Sequence, residues 1–377
     1  MFKELRVLEL ASVLAGPSVG QFFAELGAQV IKVENLKTGG DVTRTWKGRD
    51  EHTDDCSAYF CSVNWGKKSI ALDLSTSEGK LIVQKLATQS DIIIASYKPG
   101  DAQKLGVSYQ QLSTQNRQLI YGQITGYGSD KDRVGYDAVI QAESGFIDLN
   151  GEKDSDPVKM PVALIDVLAA HQLKEGLLLA LLKRDRTHEG SLVEVSLIQS
   201  AISSLANQAT NWLVAKKLPI RQGSAHPNIA PYGESFLTKD AKRILLAVGS
   251  DRQFSDLLKV LKLDDLNGTD KFSTNQSRVI HRDELTKILS QTISQFDSKE
   301  LMAKIDFHKI PAGIIQNIKE VFEMTEAKEL LIKQRELTGV RTMIAKISGT
   351  GQQHQTDLLP PPHFGEHTQE ILSQLKM

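Results

Sequence analysis

With 377 residues and 40% hydrophobic content, the chain has core enough for two domains, or for one large domain carrying an insertion. Its 45 Lys+Arg and 46 Asp+Glu leave a formal net charge of -1, so nothing in the balance favours nucleic acid or an anionic membrane as a partner, and any anion site is local. Two cysteines, Cys56 and Cys61, make neither a disulfide framework nor a CxxC metal or redox motif, and no apolar run approaches the ~20 residues of a membrane span or the core of a signal peptide, so a soluble cytoplasmic protein is expected.

Leu5 to Leu10 reads as a buried strand, Ala11 to Pro17 as a loop, Ser18 to Leu26 as a helix ended by Gly27, and Gln29 to Glu34 as a second strand. This βαβ unit lacks GxGxxG, which counts against a nicotinamide-dependent dehydrogenase even though Glu34 stands where such enzymes place a ribose-binding acid. Asp41 to Asn64 is an irregular excursion, and Lys67 to Leu74 then alternates as a strand. Ser75 with Glu78 fits a capping box for a helix over 79–88, and the strand Asp91 to Ala95 runs into the turn Ser96-Tyr97-Lys98-Pro99-Gly100. Leu119 to Thr125 is another strand, and Tyr136 to Phe146 is helical with Asp137 at its start. A strand over 192–197 leads to a long helix reaching about residue 215. Alternation of strands and helices predicts an α/β fold, a mostly parallel sheet covered on both faces.

Beyond this point the pattern changes. The proline-containing stretch Lys216 to Tyr232 marks a connector, and short strands and helices from about 230 to 325 indicate a second, smaller α+β domain. The expected division is a large domain over 1–200, a linker over 201–229, the small domain over 230–325 and a segment over 326–377 that returns to the large domain. A strand is expected from Gly339 to Ile347, and a final amphipathic helix packed on another element after the proline run at 360–362.

The stretch Met160 to Leu182 contains one acid, Asp166, in an apolar run, with a strand expected before it and helical spacing of Ala170, Leu173, Leu177 and Leu181 after it. An N-cap and a catalytic carboxylate both fit that position, because helix starts favour acids and open α/β sheets bind ligands at the carboxyl ends of their strands.

The series LELASVLAGPSVGQFFAELGAQVIKVE, GDVTRTW, NWGKKSIALDL, ASYKPGDAQKLG, ITGYG, GYDAVIQAESG, HPNIAPY, AVGSDRQF and PPPHFGEHTQEIL resembles the class III CoA-transferases nearly end to end. The resemblance implies a Rossmann-like large domain, interlocked homodimers, acyl-CoA and a small carboxylic acid as substrates, no metal and no permanently bound cofactor. It makes Asp166 the nucleophile, attacking the thioester to give an aspartyl anhydride and then an aspartyl-CoA thioester. Asp137 matches an acid near the nucleophile, with helix capping as its other reading, and Tyr136 precedes it. Ser12, Val13, Leu14, Ala15, Leu72, Ser96, Tyr97, Lys98 and Lys104 match CoA-contacting positions. Asn35 stands where some members carry arginine, Ser75 where some carry lysine, Lys104 where arginine is common and Ser96 where asparagine is usual. Arg44, His226 and Asn228 are candidates for the substrate carboxylate. GYD, HPNIAPY and AVGSDRQF look most like members using succinyl-CoA or dicarboxylates. An α-methylacyl-CoA racemase on the same fold is the alternative, disfavoured because Tyr136 replaces the histidine that group places before its acid, and because His171 reads as a core histidine. A non-catalytic CoA-binding protein ranks below both.

Overall fold

The computed structural model describes residues 1–334, 336–345 and 357–375. Its chain forms two compact units, one made of residues 1–146, 159–214 and 328–377, the other of residues 147–158 and 215–327. Six parallel strands build the first: β1 (Arg6–Leu10), β2 (Gln29–Asn35), β3 (Lys67–Leu72), β4 (Ile92–Ala95), β5 (Ile120–Thr125) and β6 (Ser191–Ser196), in the order β3-β2-β1-β4-β5-β6. Val7 pairs with Val30 on one side and with Ile92 on the other. Successive side chains serve opposite faces. Val7, Val30, Ile92 and Ile94 pack under the helices Ala15–Glu25 and Leu164–Thr187, whereas Leu8, Ile70, Ile93 and Tyr121 pack against the helix Ser77–Thr88 and Ile371. The result is a doubly wound, Rossmann-like sheet whose order reverses between β1 and β4.

The second unit holds an antiparallel sheet of β7 (Tyr232–Leu237), β8 (Arg243–Ala247) and β9 (Ala312–Ile314), covered by the helices Asp251–Leu261, Arg282–Ile293 and Ser298–Phe307. In the first unit, β10 (Leu331–Gln334) and β11 (Leu337–Val340) make a hairpin, and the helix Thr368–Gln374 docks beside β3. There Thr368 Oγ1 accepts the Ala71 N–H at 3.0 Å, Glu370 meets Lys68 at 2.5 Å and Ile371 is buried.

Several local expectations change. No strand precedes Asp166: the Met160 N–H donates to Gln141 Oε1 at 3.0 Å, so a side-chain amide takes the place of a ladder partner, and the helix begins at Leu164. Thr76, not Ser75, caps the helix Ser77–Thr88, because the Ser75 hydroxyl donates to Asp73 at 2.6 Å instead. The helix expected after β6 divides into Leu197–Ser203 and Ala206–Leu213. The strand expected over 339–347 ends at Val340, and positions 346 and 347 lie outside the described residues.

Candidate active site

The helix Leu164–Thr187 links β5 to β6, two neighbouring parallel strands, so it must run back against their direction and present its N-terminus at their carboxyl ends. Asp166 sits in its first turn and is 8% exposed. Capping falls to another acid: Asp137, at the start of the helix Asp137–Glu143, accepts the Ile165 N–H on Oδ1 at 2.7 Å and the Gln141 amide on Oδ2 at 2.6 Å. Asp166 is therefore not the N-cap; that position is Ala163, with no side-chain cap bond of its own.

Burial and the nearby negative charge of Asp137 push the Asp166 carboxyl up to about 7. The helix start does not hold it firmly ionised, as a capping geometry would. The Tyr59 phenol is pushed up to about 12 by burial and by the charges of Asp166, Asp137 and Asp41, which places all three acids in its surroundings. Tyr59 also packs edge-on against Trp46, with ring centroids 5.2 Å apart.

At the β1/β4 reversal a cavity of about 550 Å³ opens between the loops that follow the strands. It brings together Ser12, Leu72, Ser96 and Tyr97 of the expected CoA set. Val13, Leu14 and Ala15 continue the same loop into the helix Ala15–Glu25, where Leu14 is the N-cap without a side-chain cap bond. Val13 has φ +72, a left-handed conformation that β-branched residues rarely adopt. Burial raises the Tyr97 phenol to about 12. Lys98 is exposed, and Lys104 is exposed with its ammonium 3.0 Å from Asp101; neither lines the cavity. Lys37 does line it, with Nζ 2.7 Å from Ser75 Oγ and 3.2 Å from Asp73.

Arg44 is 4% exposed and all its donors are engaged: Glu34 is bound through Nε at 2.8 Å and Nη2 at 2.6 Å, the Pro362 carbonyl at 3.0 Å, and the Asp55 carbonyl at 3.1 Å. The guanidinium stacks on Phe60 at 3.8 Å, so the expectation of a substrate-binding Arg44 finds no free donor. His226 and Asn228 lie in the second unit, within a turn where Asn228 N–H donates to His226 Nδ1 at 3.1 Å and Arg282 binds the His226 and Ile229 carbonyls at 2.6 and 2.9 Å. Tyr136 is 59% exposed, and His171, expected in the core, is exposed. Asp54, Asp55, Cys56 and His363 bring ligand-type atoms within 4.8 Å of one another, but the Arg44 guanidinium already supplies positive charge there, 3.5 Å from Asp55 and 3.6 Å from Cys56 Sγ.

The chain matches CoA-transferase family III over residues 2–368. It belongs to that family. It is 36% identical to the succinate–glutarate CoA-transferase of Agrobacterium fabrum over 99% of this chain and 95% of that one. It is 34% identical to the succinyl-CoA:glutarate CoA-transferase of Mus musculus over 98% of this chain and 85% of the other. Among solved structures, a CAIB/BAIF family protein from Brucella suis superposes with a TM-score of 0.84 at 37% identity, covering 98% of each chain. For a family III CoA-transferase, Lys37, Tyr59 and Asp41 are the cavity and acid-site neighbours that sequence reasoning passed over. Lys37 carried one signal, its place just after Asn35, where some members have a cation; Asp41 stood in the motif GDVTRTW without a role, because Val13, which it meets, is 28 residues away, and Tyr59 carried no signal, since Asp166 and Asp137 are distant from it in the chain.

Proposed function

We propose that this CoA-transferase moves CoA from succinyl-CoA to a short dicarboxylic acid by a ping-pong route through Asp166. The observation that carries the reading is the position of Asp166: a buried acid at the carboxyl edge of the sheet, in a first helical turn whose cap is supplied by Asp137. In its ionised form it attacks the thioester carbonyl carbon, forming an anhydride and expelling CoA thiolate; the thiolate then attacks the aspartyl carbonyl, releases the donor acid and leaves an aspartyl-CoA thioester. The acceptor carboxylate attacks that thioester, and the expelled thiolate attacks the acceptor side of the new anhydride, yielding acyl-CoA and free Asp166. An ionised carboxylate needs no separate base.

The 550 Å³ cavity suits the nucleotide end of CoA. Ser12, Leu72, Ser96 and Tyr97 line it, and Lys37 supplies the cation between Asn35 and Ser75. The dicarboxylate preference rests on the activities named for the relatives. An interlocked homodimer is supported by exposed apolar residues at the end of the first unit, Trp212 at 51% and Val214 at 77%. The charge balance and cysteine use support a cytoplasmic location. Racemisation needs a base and an acid on opposite faces of the substrate; with Tyr136 and His171 both exposed, neither is placed beside Asp166 as a second buried group.

The test is to incubate the protein with succinyl-CoA, trap with borohydride or hydroxylamine and map the modified residue by mass spectrometry, with glutarate as acceptor in parallel turnover assays. Label on Asp166 and loss of at least 1000-fold in kcat in Asp166→Ala is the expected result, about 4 kcal/mol of barrier. Label elsewhere, or full turnover by Asp166→Ala, sinks the route.

A further inference from the structure

Six buried charges lie beneath the nucleotide-side loop, and the chemistry at Asp166 uses none of them. Glu9, Lys32, Glu34, Asp41, Arg44 and Lys67 are each at most 4% exposed, and three acids balance three bases. Lys67 Nζ is 2.7 Å from Glu9 Oε2; Lys32 Nζ is 2.9 Å from Glu9 Oε1 and 2.9 Å from Asp41 Oδ2. Glu34, held by Arg44, accepts the Asp41 N–H at 2.9 Å. The chain of charges meets the loop at three points. Lys32 donates to the Ala11 carbonyl at 2.9 Å, both Asp41 oxygens lie 3.3 Å from the Val13 nitrogen, and Lys67 donates to the Pro17 carbonyl at 2.9 Å.

Val13 is the point that needs holding. A β-branched residue at φ +72 is strained, and such a conformation persists only where the surroundings over-determine it. Asp41 is itself fixed, accepting from Thr43 N–H at 3.1 Å and Thr43 Oγ1 at 2.8 Å. We propose that Asp41 is a positioning residue for coenzyme A: its carboxylate, locked by Lys32, holds Val13 left-handed and so keeps the preceding residues Ala11 and Ser12 in place along the nucleotide cavity. This rests on the CoA-transferase reading above. The clamp acts on binding; it touches no reacting atom.

The experiment combines calorimetric titration of CoA, steady-state kinetics with succinyl-CoA, and hydrogen exchange of the peptide spanning 8–20, in four proteins: unsubstituted, Asp41→Ala, Val13→Gly, and both together. Expected for Asp41→Ala are a rise of about tenfold or more in Kd and KM, less than threefold change in kcat at saturation, and faster exchange of the loop. Glycine takes a positive φ without steric cost, so Val13→Gly in the Asp41→Ala background recovers most of the lost affinity. A merely structural Asp41 predicts equal losses with Val13 and with glycine at that position, and that outcome overturns the clamp, as does unchanged CoA affinity in Asp41→Ala. If Asp41→Ala does not fold, the pair Lys32→Met with Asp41→Ala, which leaves Glu9–Lys67 and Glu34–Arg44 each balanced, replaces it in the same series. An unsubstituted protein that binds no CoA sinks the transferase reading itself; one that binds CoA while the Asp41 variants match it sinks the clamp alone.

Discussion

Two neighbouring acids, Asp137 and Asp166, differ in what their oxygens bind. Asp137 spends its two oxygens on the Ile165 N–H and the Gln141 amide, so its charge is satisfied; Asp166 is left buried and close to that charge. Raised to about 7, Asp166 is protonated in a large fraction of free molecules at neutral pH. In the proposed route the deprotonated form is the nucleophile, so kcat/KM for acyl-CoA is expected to rise with pH through an apparent pKa near 7 and level off above it. Asp137→Asn keeps an oxygen for the Ile165 N–H while removing the charge, and is expected to move that limb to lower pH. A pH–rate profile of the two proteins checks this; an unshifted limb would mean that Asp137 acts only as a cap.

At the scale of elements, the first turns of the helix Ala15–Glu25, AGPSVG, are shaped by what lies beneath them. A Cβ added at Gly20 would stand 1.9 Å from Glu9 Oε2 and 3.2 Å from Lys67 Cε, so the helix Ala15–Glu25 can approach β1 and β3 only because this position is glycine. Glycine in a helix otherwise costs about 1 kcal/mol relative to alanine. Gly20→Ala gains that propensity but forces Glu9 off Lys67 inside the core. Overpacking a filled core costs about 1–3 kcal/mol, so, set against the gain in propensity, a net loss of up to roughly 2 kcal/mol is expected. Urea denaturation with unchanged m-value measures it; a stabilised Gly20→Ala would show that the ion pair has room to move.

At the scale of the whole molecule, the C-terminal segment is tied back to the first unit by polar contacts as well as by Ile371. His363 Nδ1 meets Asp55 Oδ1 at 2.5 Å, and the Phe364 N–H donates to Asp55 Oδ2 at 2.6 Å. The hydrogen bond to Asp55 and the charges of Asp55 and Asp54 raise the His363 imidazole above its ordinary value, against a smaller effect of burial. A histidine raised on folding contributes stability that is fully present below its unfolded pKa of about 6.5 and lost as pH rises through the folded value. Exchange protection of the segment 357–375 is therefore expected to weaken from pH 6 to pH 9, and His363→Gln to abolish that dependence. Protection flat across this range in the unsubstituted protein would remove His363 from the ties that hold the C-terminal segment.

The sequence by itself determined the α/β class, the run of parallel strands, the final helix and the two acids Asp137 and Asp166. These follow from signals written within a few residues: alternation in strands, helical spacing after Asp166, an acid where apolar residues should run on. Tertiary structure alone decided which acid caps the helix, that Arg44 is committed to Glu34, and that Lys37 stands at the cavity. It also decided that Asp41 grips Val13 from 28 residues away, and that His363 finds Asp55 across 308. Local periodicity constrains a side chain's direction within its own element, whereas its partner is fixed by how elements pack. The contacts that decide the arrangement, Asp137 to Ile165, Asp41 to Val13 and His363 to Asp55, join segments 28 to 308 residues apart, and no short window of sequence contains both ends of them.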